Sequence, residues 1–222
     1  MSEMLALLAD ERIFSGEKTL RMTMEDFGAG VVSVWEGLRS TTRILIVNAL
    51  QSSSATTHGS TVYDARSDWE LSRLLDALDT RAADDHSSLS MDQAERLKHM
   101  AETTASVLQE RAQSAEVFAQ LVERALRRCD YARIDRLADA LSARFAPGEI
   151  CELARQPSAV SRALAHEALA QSPTAALVAL LADPVDAVIA REALERQAVE
   201  FDSEDARQFL NMLEQLEAEE DF

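Results

Sequence analysis

The chain has 222 residues, 47% of them hydrophobic, which is enough to bury a core as one large domain or two small ones. Its formal charge of −17 repels phosphate backbones and anionic membrane surfaces, so neither nucleic acid nor membrane is an expected direct partner. Aromatic residues make up only 5% while alanine and leucine recur throughout, a composition suited to close helix–helix packing rather than to a sandwich or barrel.

The first residues, Met1-Ser2-Glu3-Met4-Leu5, open with an acid and lack a charged leader with an apolar core. Cys129 and Cys151 have no metal-binding or redox spacing, and two buried free thiols suit a reducing compartment, so the expected location is the cytoplasm. Met4, Leu5, Leu7 and Leu8 suit a short helix before Gly16. Thr23-Met24-Glu25-Asp26 resembles a capped helix start, with a break expected near Gly30. Arg43 to Val47 is β-branched enough for a strand, but no partner strand follows, so a buried helix is expected. Gln51 to Ser60 is a polar connection.

Ser67-Asp68-Trp69-Glu70 has the spacing of a capping box, with Trp69, Leu71, Leu74, Leu75 and Leu78 as the apolar face of the helix that follows. Asp84 to Ser88 ends that unit. Ser90-Met91-Asp92-Gln93 is a second capping box. Beyond it Leu97, Ala101, Thr104, Leu108, Ala115, Phe118, Val122 and Ala125 recur at three- and four-residue steps, with neither glycine nor proline between Gly59 and Pro147. The pattern predicts one long helix from Met91 to about Arg128, ~55 Å at 1.5 Å per residue, suited to a bundle or a homodimer seam. Tyr131 to Phe145 makes the next helix, closed by Pro147-Gly148.

The character changes after residue 147. Gln156-Pro157 through Ala165-His166-Glu167-Ala168-Leu169 corresponds to Asp183-Pro184 through Ala190-Arg191-Glu192-Ala193-Leu194. Each half is a helical hairpin too small to bury its own apolar face, and Ser172-Pro173 offers a serine cap with proline at the first helical position. From about Gly148 to Val199 the chain resembles the HEAT-like helical repeats of bacterial proteins. That resemblance implies a curved scaffold used mainly for protein contact and transfers no binding residues. The expected fold is therefore all-α, with a helical bundle over residues 1–147 built on a long central helix, then a short HEAT-like solenoid over 148–222. A terminal helix is expected from Ser203. From Glu200 onward there are nine acids and one arginine, an acidic element suited to a basic partner.

Residues that could carry chemistry do not assemble into a motif. There is no nucleophile elbow, and none of His58, His86, His99 and His166 forms an i,i+4 ligand pair. Gly28-Ala29-Gly30 lacks the rest of a dinucleotide fingerprint, and Asp84-Asp85 lacks a calcium loop. Arg124, Arg127, Arg128, Arg133 and Arg136 are interleaved with acids. No catalytic, cofactor or metal residue is assigned. The expected function is a protein-binding adaptor or regulator, with Glu214, Glu217, Glu219 and Glu220 as candidate contacts for a basic protein. The alternatives are an acidic inhibitor that fills a partner's nucleic-acid-binding groove, and a helical enzyme whose site is assembled from distant residues.

Overall fold

In the computed structural model, residues 23–51, 63–84 and 89–220 are described; the readings of Met4 to Leu8, Gly16 and Ser52 to Ser60 lie outside them. The described residues are all-α, with eleven helices of seven residues or more and a helical stretch at 23–27. The chain divides into two compact units, Met1–Gln113 and Ser114–Phe222.

In the first unit the chain bends at Gly28, two residues before the expected break at Gly30. Gly28 has φ +103°, a backbone conformation that L side chains rarely adopt. The Phe27 carbonyl at this bend accepts a 2.7 Å hydrogen bond from Arg81 Nε. Helix α1 (Ala29–Gly37) buries Val31 and Trp35. The Arg43–Val47 segment is helical, as part of α2 (Ser40–Gln51), and Leu45, Ile46 and Val47 are buried in it. Helix α3 (Ala65–Ala83) contributes Leu71, Leu74, Leu75 and Leu78, each fully buried, against Leu97, Ala101, Ala105 and Leu108 of α4 (Met91–Arg111). The Ser90/Gln93 capping box at the start of α4 forms as expected, with bonds of 2.9 and 3.3 Å.

Three expectations in this region are corrected. Helix α3 is capped by Asp64, whose carboxylate accepts from Ser67 N and Oγ, both at 2.8 Å, so Ser67 is the third helical residue and not the cap. An aspartate held by an arginine makes the stronger, charge-assisted cap, and Glu70 is thereby freed to point inward. Trp69 is exposed instead of lying on the apolar face. Arg73 stacks on it, the guanidinium carbon 4.7 Å from the ring centroid.

The long helix is interrupted. It stops at Arg111, Ala112 turns to φ −55°, ψ 136°, and Ser114 is again extended before α5 (Ala115–Arg127). The cause is Asp68, which is 1% exposed. Its carboxylate accepts the Gln113 amide at 2.6 Å and also the Tyr63 hydroxyl. Inside a continuous helix the Gln113 N–H would be committed to the carbonyl four residues back. A buried carboxylate that needs donors competes for it. The boundary between compact units falls at this interruption, and residue 147 lies inside the second unit.

The second unit begins with α5, whose Phe118, Leu121, Val122 and Ala125 are buried, Phe118 meeting Phe145 edge-on with centroids 5.2 Å apart. Cys129 is exposed, not buried, because it occupies the left-handed turn (φ 55°) that ends α5. Asp130 N bonds Ala125 O at 2.9 Å and Cys129 N bonds Leu126 O at 3.0 Å, the paired closure of a Schellman turn. Helix α6 (Tyr131–Arg144) follows. Pro147 then starts α7 (Pro147–Ala154) as its first residue.

Helix α8 (Ala159–Ala170) packs on α7, and α10 (Ala187–Glu200) packs on both α9 (Thr174–Leu180) and α8. Ser172 does not cap α9; its hydroxyl donates to the Ala168 carbonyl at the end of α8. Corresponding positions do corresponding work, since Ala165, Ala168 and Leu169 of α8 and Ala190, Ala193 and Leu194 of α10 are all buried. Gln197 is buried too, and its amide joins α10 to the α8–α9 turn through Ala170 O at 3.2 Å and Thr174 Oγ1 at 3.0 Å. Helix α11 (Glu204–Glu220) packs on α10. No helix among the described residues is long and apolar enough to cross a membrane.

Candidate protein-binding surface

Two polar arrangements stand out, one in each unit. In the first unit Arg39, between α1 and α2, donates to Asp64 at 2.6 and 2.9 Å, to Ser67 Oγ at 3.1 Å and to Glu70 Oε1 at 3.1 Å. Thr42 donates its hydroxyl to the other Glu70 oxygen, and Arg66 approaches Oε1 at 3.2 Å. The hydrogen bonds from Arg39 hold the Asp64 carboxyl well below the usual carboxylate range, and the bond to Asp64 raises the Arg39 guanidinium in turn. Burial pushes the Glu70 carboxyl up, but the bonds from Thr42 and Arg39 together outweigh it and leave it lowered. Carboxylates held ionised and fully bonded in this way are not poised to take a proton near neutral pH. The cluster fastens α2 to the start of α3.

In the second unit the charge pattern faces outward. Arg196 bonds Glu200 at 2.9 Å and Glu167 at 3.2 Å, Arg191 lies 3.7 Å from Glu195, and Arg207 is held by Asp202 and by Glu204 at 2.7 Å. From Val185 to the C-terminus twelve acids stand against these three arginines. Each arginine is already engaged by an acid of the same unit, so the surplus charge is carboxylate. Of the candidate contacts, Glu214 is exposed on α11, and the side chains of Glu217, Glu219 and Glu220 lie outside the described residues. Among the described side chains of α11 only Ala206 is buried; Phe209, Leu210 and Leu213 are half-buried and Met212 is 50% exposed. Five of the nine exposed large apolar side chains among the described residues (Val185, Val188, Val199, Phe201 and Met212) come from this same acidic stretch. Val188 is 66% exposed on α10. The helix turns it outward because Ala190, Ala193, Leu194 and Gln197 define the inner one.

Residues with reactive potential are dispersed. Cys151 is buried beside Asp186, and burial, reinforced by that carboxylate, pushes its thiol up to about 11, which leaves it protonated and inert. His99 is exposed on α4, His166 of α8 lies 4.0 Å from Glu192 of α10, and His58 and His86 lie outside the described residues. Asp84 ends α3 within 3.1 Å of Arg81, while Asp85 lies outside the described residues. Among the described residues no three His, Cys, Asp or Glu side chains are grouped to hold a metal ion. Comparison with family models, with curated proteins and with solved structures finds no match.

Proposed function

We propose that the protein is a binding adaptor or regulator whose acidic C-terminal surface engages another protein through a basic face. The supporting observation is the co-location on α10 and α11 of surplus carboxylates with incompletely covered apolar side chains. A helix whose apolar row is only half covered gains by docking a partner, and the surrounding acids choose a basic one. A HEAT-like stack of the α7–α8 and α9–α10 hairpins would hold this surface rigidly. The equivalent buried alanines and leucines of α8 and α10 support that arrangement. Free cysteines fit action in the cytoplasm. The N-terminal bundle is the part suited to a homodimer seam.

The test is affinity capture from the native organism with the wild-type chain and with a Glu214→Gln/Glu217→Gln/Glu219→Gln/Glu220→Gln variant of equal helicity. A basic protein recovered by the wild type and at least tenfold depleted with the variant is the expected result; equal recovery excludes the tail as the contact. The same partner also tests the inhibitor reading, which the surplus of acids favours. Displacement of the chain by DNA or RNA would show that it occupies a nucleic-acid-binding groove.

A further inference from the structure

The exposed residues of α10 are Val188, Glu192, Glu195, Val199 and the terminal Glu200, with everything between them half-buried or buried. The first four follow one another at steps of four, three and four, so they lie in one row along the outer face of the helix. Val188 is 66% and Val199 83% exposed, and the Glu192 and Glu195 side chains are 56% and 58% exposed. Valine is a weaker helix former than alanine or the straight-chain residues, and among the described residues nothing packs over these two, so neither propensity nor the core explains them. The steps match the alternating three- and four-residue spacing of a helix–helix seam, with apolar ends and an acidic middle.

From this face we infer that α10 is the seat for a basic amphipathic helix of the partner, one that presents apolar, basic, basic, apolar residues at the same steps. The inference rests on the adaptor reading above and names its contact. Steps of four, three and four read the same in both directions, so a second copy of α10 would also match valine to valine. That pairing would set Glu192 and Glu195 against their counterparts, like charge on like charge inside a seam, in a chain already at −17. Lysines or arginines at the two middle positions convert the same register into opposed charges, with their methylene stems lying along the valines. Arg191 and Arg196 flank the row but are engaged by Glu195 and by Glu167 and Glu200, and Glu192, 4.0 Å from His166, keeps a side chain 56% exposed toward a partner.

The probe is a labelled alanine-rich peptide of about 20 residues, long enough to be helical alone, with Leu, Lys, Lys and Leu at these steps. Its affinity for the full chain is measured by fluorescence anisotropy, beside a peptide of the same composition with the four residues scrambled. Val188→Ser/Val199→Ser and Glu192→Lys/Glu195→Lys alter solvent-facing residues and are checked for unchanged helicity. Each is expected to weaken the patterned peptide, the charge reversal at least tenfold, while the four-glutamate tail variant changes it less than twofold. Equal binding of patterned and scrambled peptides, or undiminished binding to the charge reversal, would overturn the inference. Weakening by the tail variant alone would also overturn it while leaving the adaptor reading standing. If the tail variant instead fails to lose the captured native partner while the peptide behaves as expected, the adaptor surface lies on α10 and not on the tail.

Discussion

Asp68→Ala is expected to destabilise the first unit by about 3 kcal/mol, read as a lower denaturation midpoint at unchanged slope. The carboxylate is 1% exposed and serves two donors, the Gln113 amide at 2.6 Å and the Tyr63 hydroxyl. Truncation leaves both without this acceptor, and a hydrogen bond to a charged group contributes about 1.5–3 kcal/mol. Asp68→Asn separates the two roles. Its carbonyl can still accept one bond, but its amide faces the other donor, so a loss of about 1–2 kcal/mol is expected. A cost below about 0.5 kcal/mol for the alanine variant would contradict the assignment of Asp68 as the group that interrupts the helix.

The second large effect is at Arg39. Arg39→Ala removes the guanidinium from a Glu70 side chain that is 2% exposed, and the expected cost is about 2 kcal/mol. Breaking a fully buried pair costs about 3–5 kcal/mol. The lower figure applies because the Arg39 side chain is 30% exposed and Arg66 still reaches Glu70. The variant also changes the response to acid. Asp64 and Glu70 are both lowered in the folded protein from ordinary values of 3.8 and 4.5. Their contribution is therefore complete above those values and is lost as the pH falls below about 4.5 toward their folded values. Wild-type stability should fall in that acid range, and the Arg39→Ala curve should fall less steeply. Parallel curves between pH 5 and pH 2.5 would show that the cluster does not govern acid sensitivity.

These two sites also show how far the sequence was legible. The all-α class followed from composition, and the buried rows of α3 and α4 followed from their period, because burial of apolar side chains is a local pattern repeated many times. The interruption at Ala112 was hidden. No glycine or proline marks it, and its cause, Asp68, lies 45 residues before the Gln113 amide it holds. The Arg39–Asp64–Glu70 cluster was hidden in the same way, its members 25 and 31 residues apart. Ser67 had a cap's spacing to Glu70, but spacing alone could not show that Asp64 had an arginine to hold it. Cys129 was assigned to the core on residue type, whereas the left-handed turn after α5 set its exposure. In the second unit, the paired stretches 165–169 and 190–194 carry equivalent buried residues, Ala165, Ala168 and Leu169 beside Ala190, Ala193 and Leu194. The exposed valines of α10, Val188 and Val199, lie outside that correspondence, and their exposure is the feature that points to a partner.

Recognition through surplus carboxylates of the C-terminal unit, as proposed, would show itself first in the salt dependence of the complex. The dissociation constant of the captured partner, measured with the full chain at 50 and 300 mM monovalent salt, is expected to rise at least tenfold, because exposed charges attract across a screening length that shortens with salt. A constant unchanged over that range would contradict the claim.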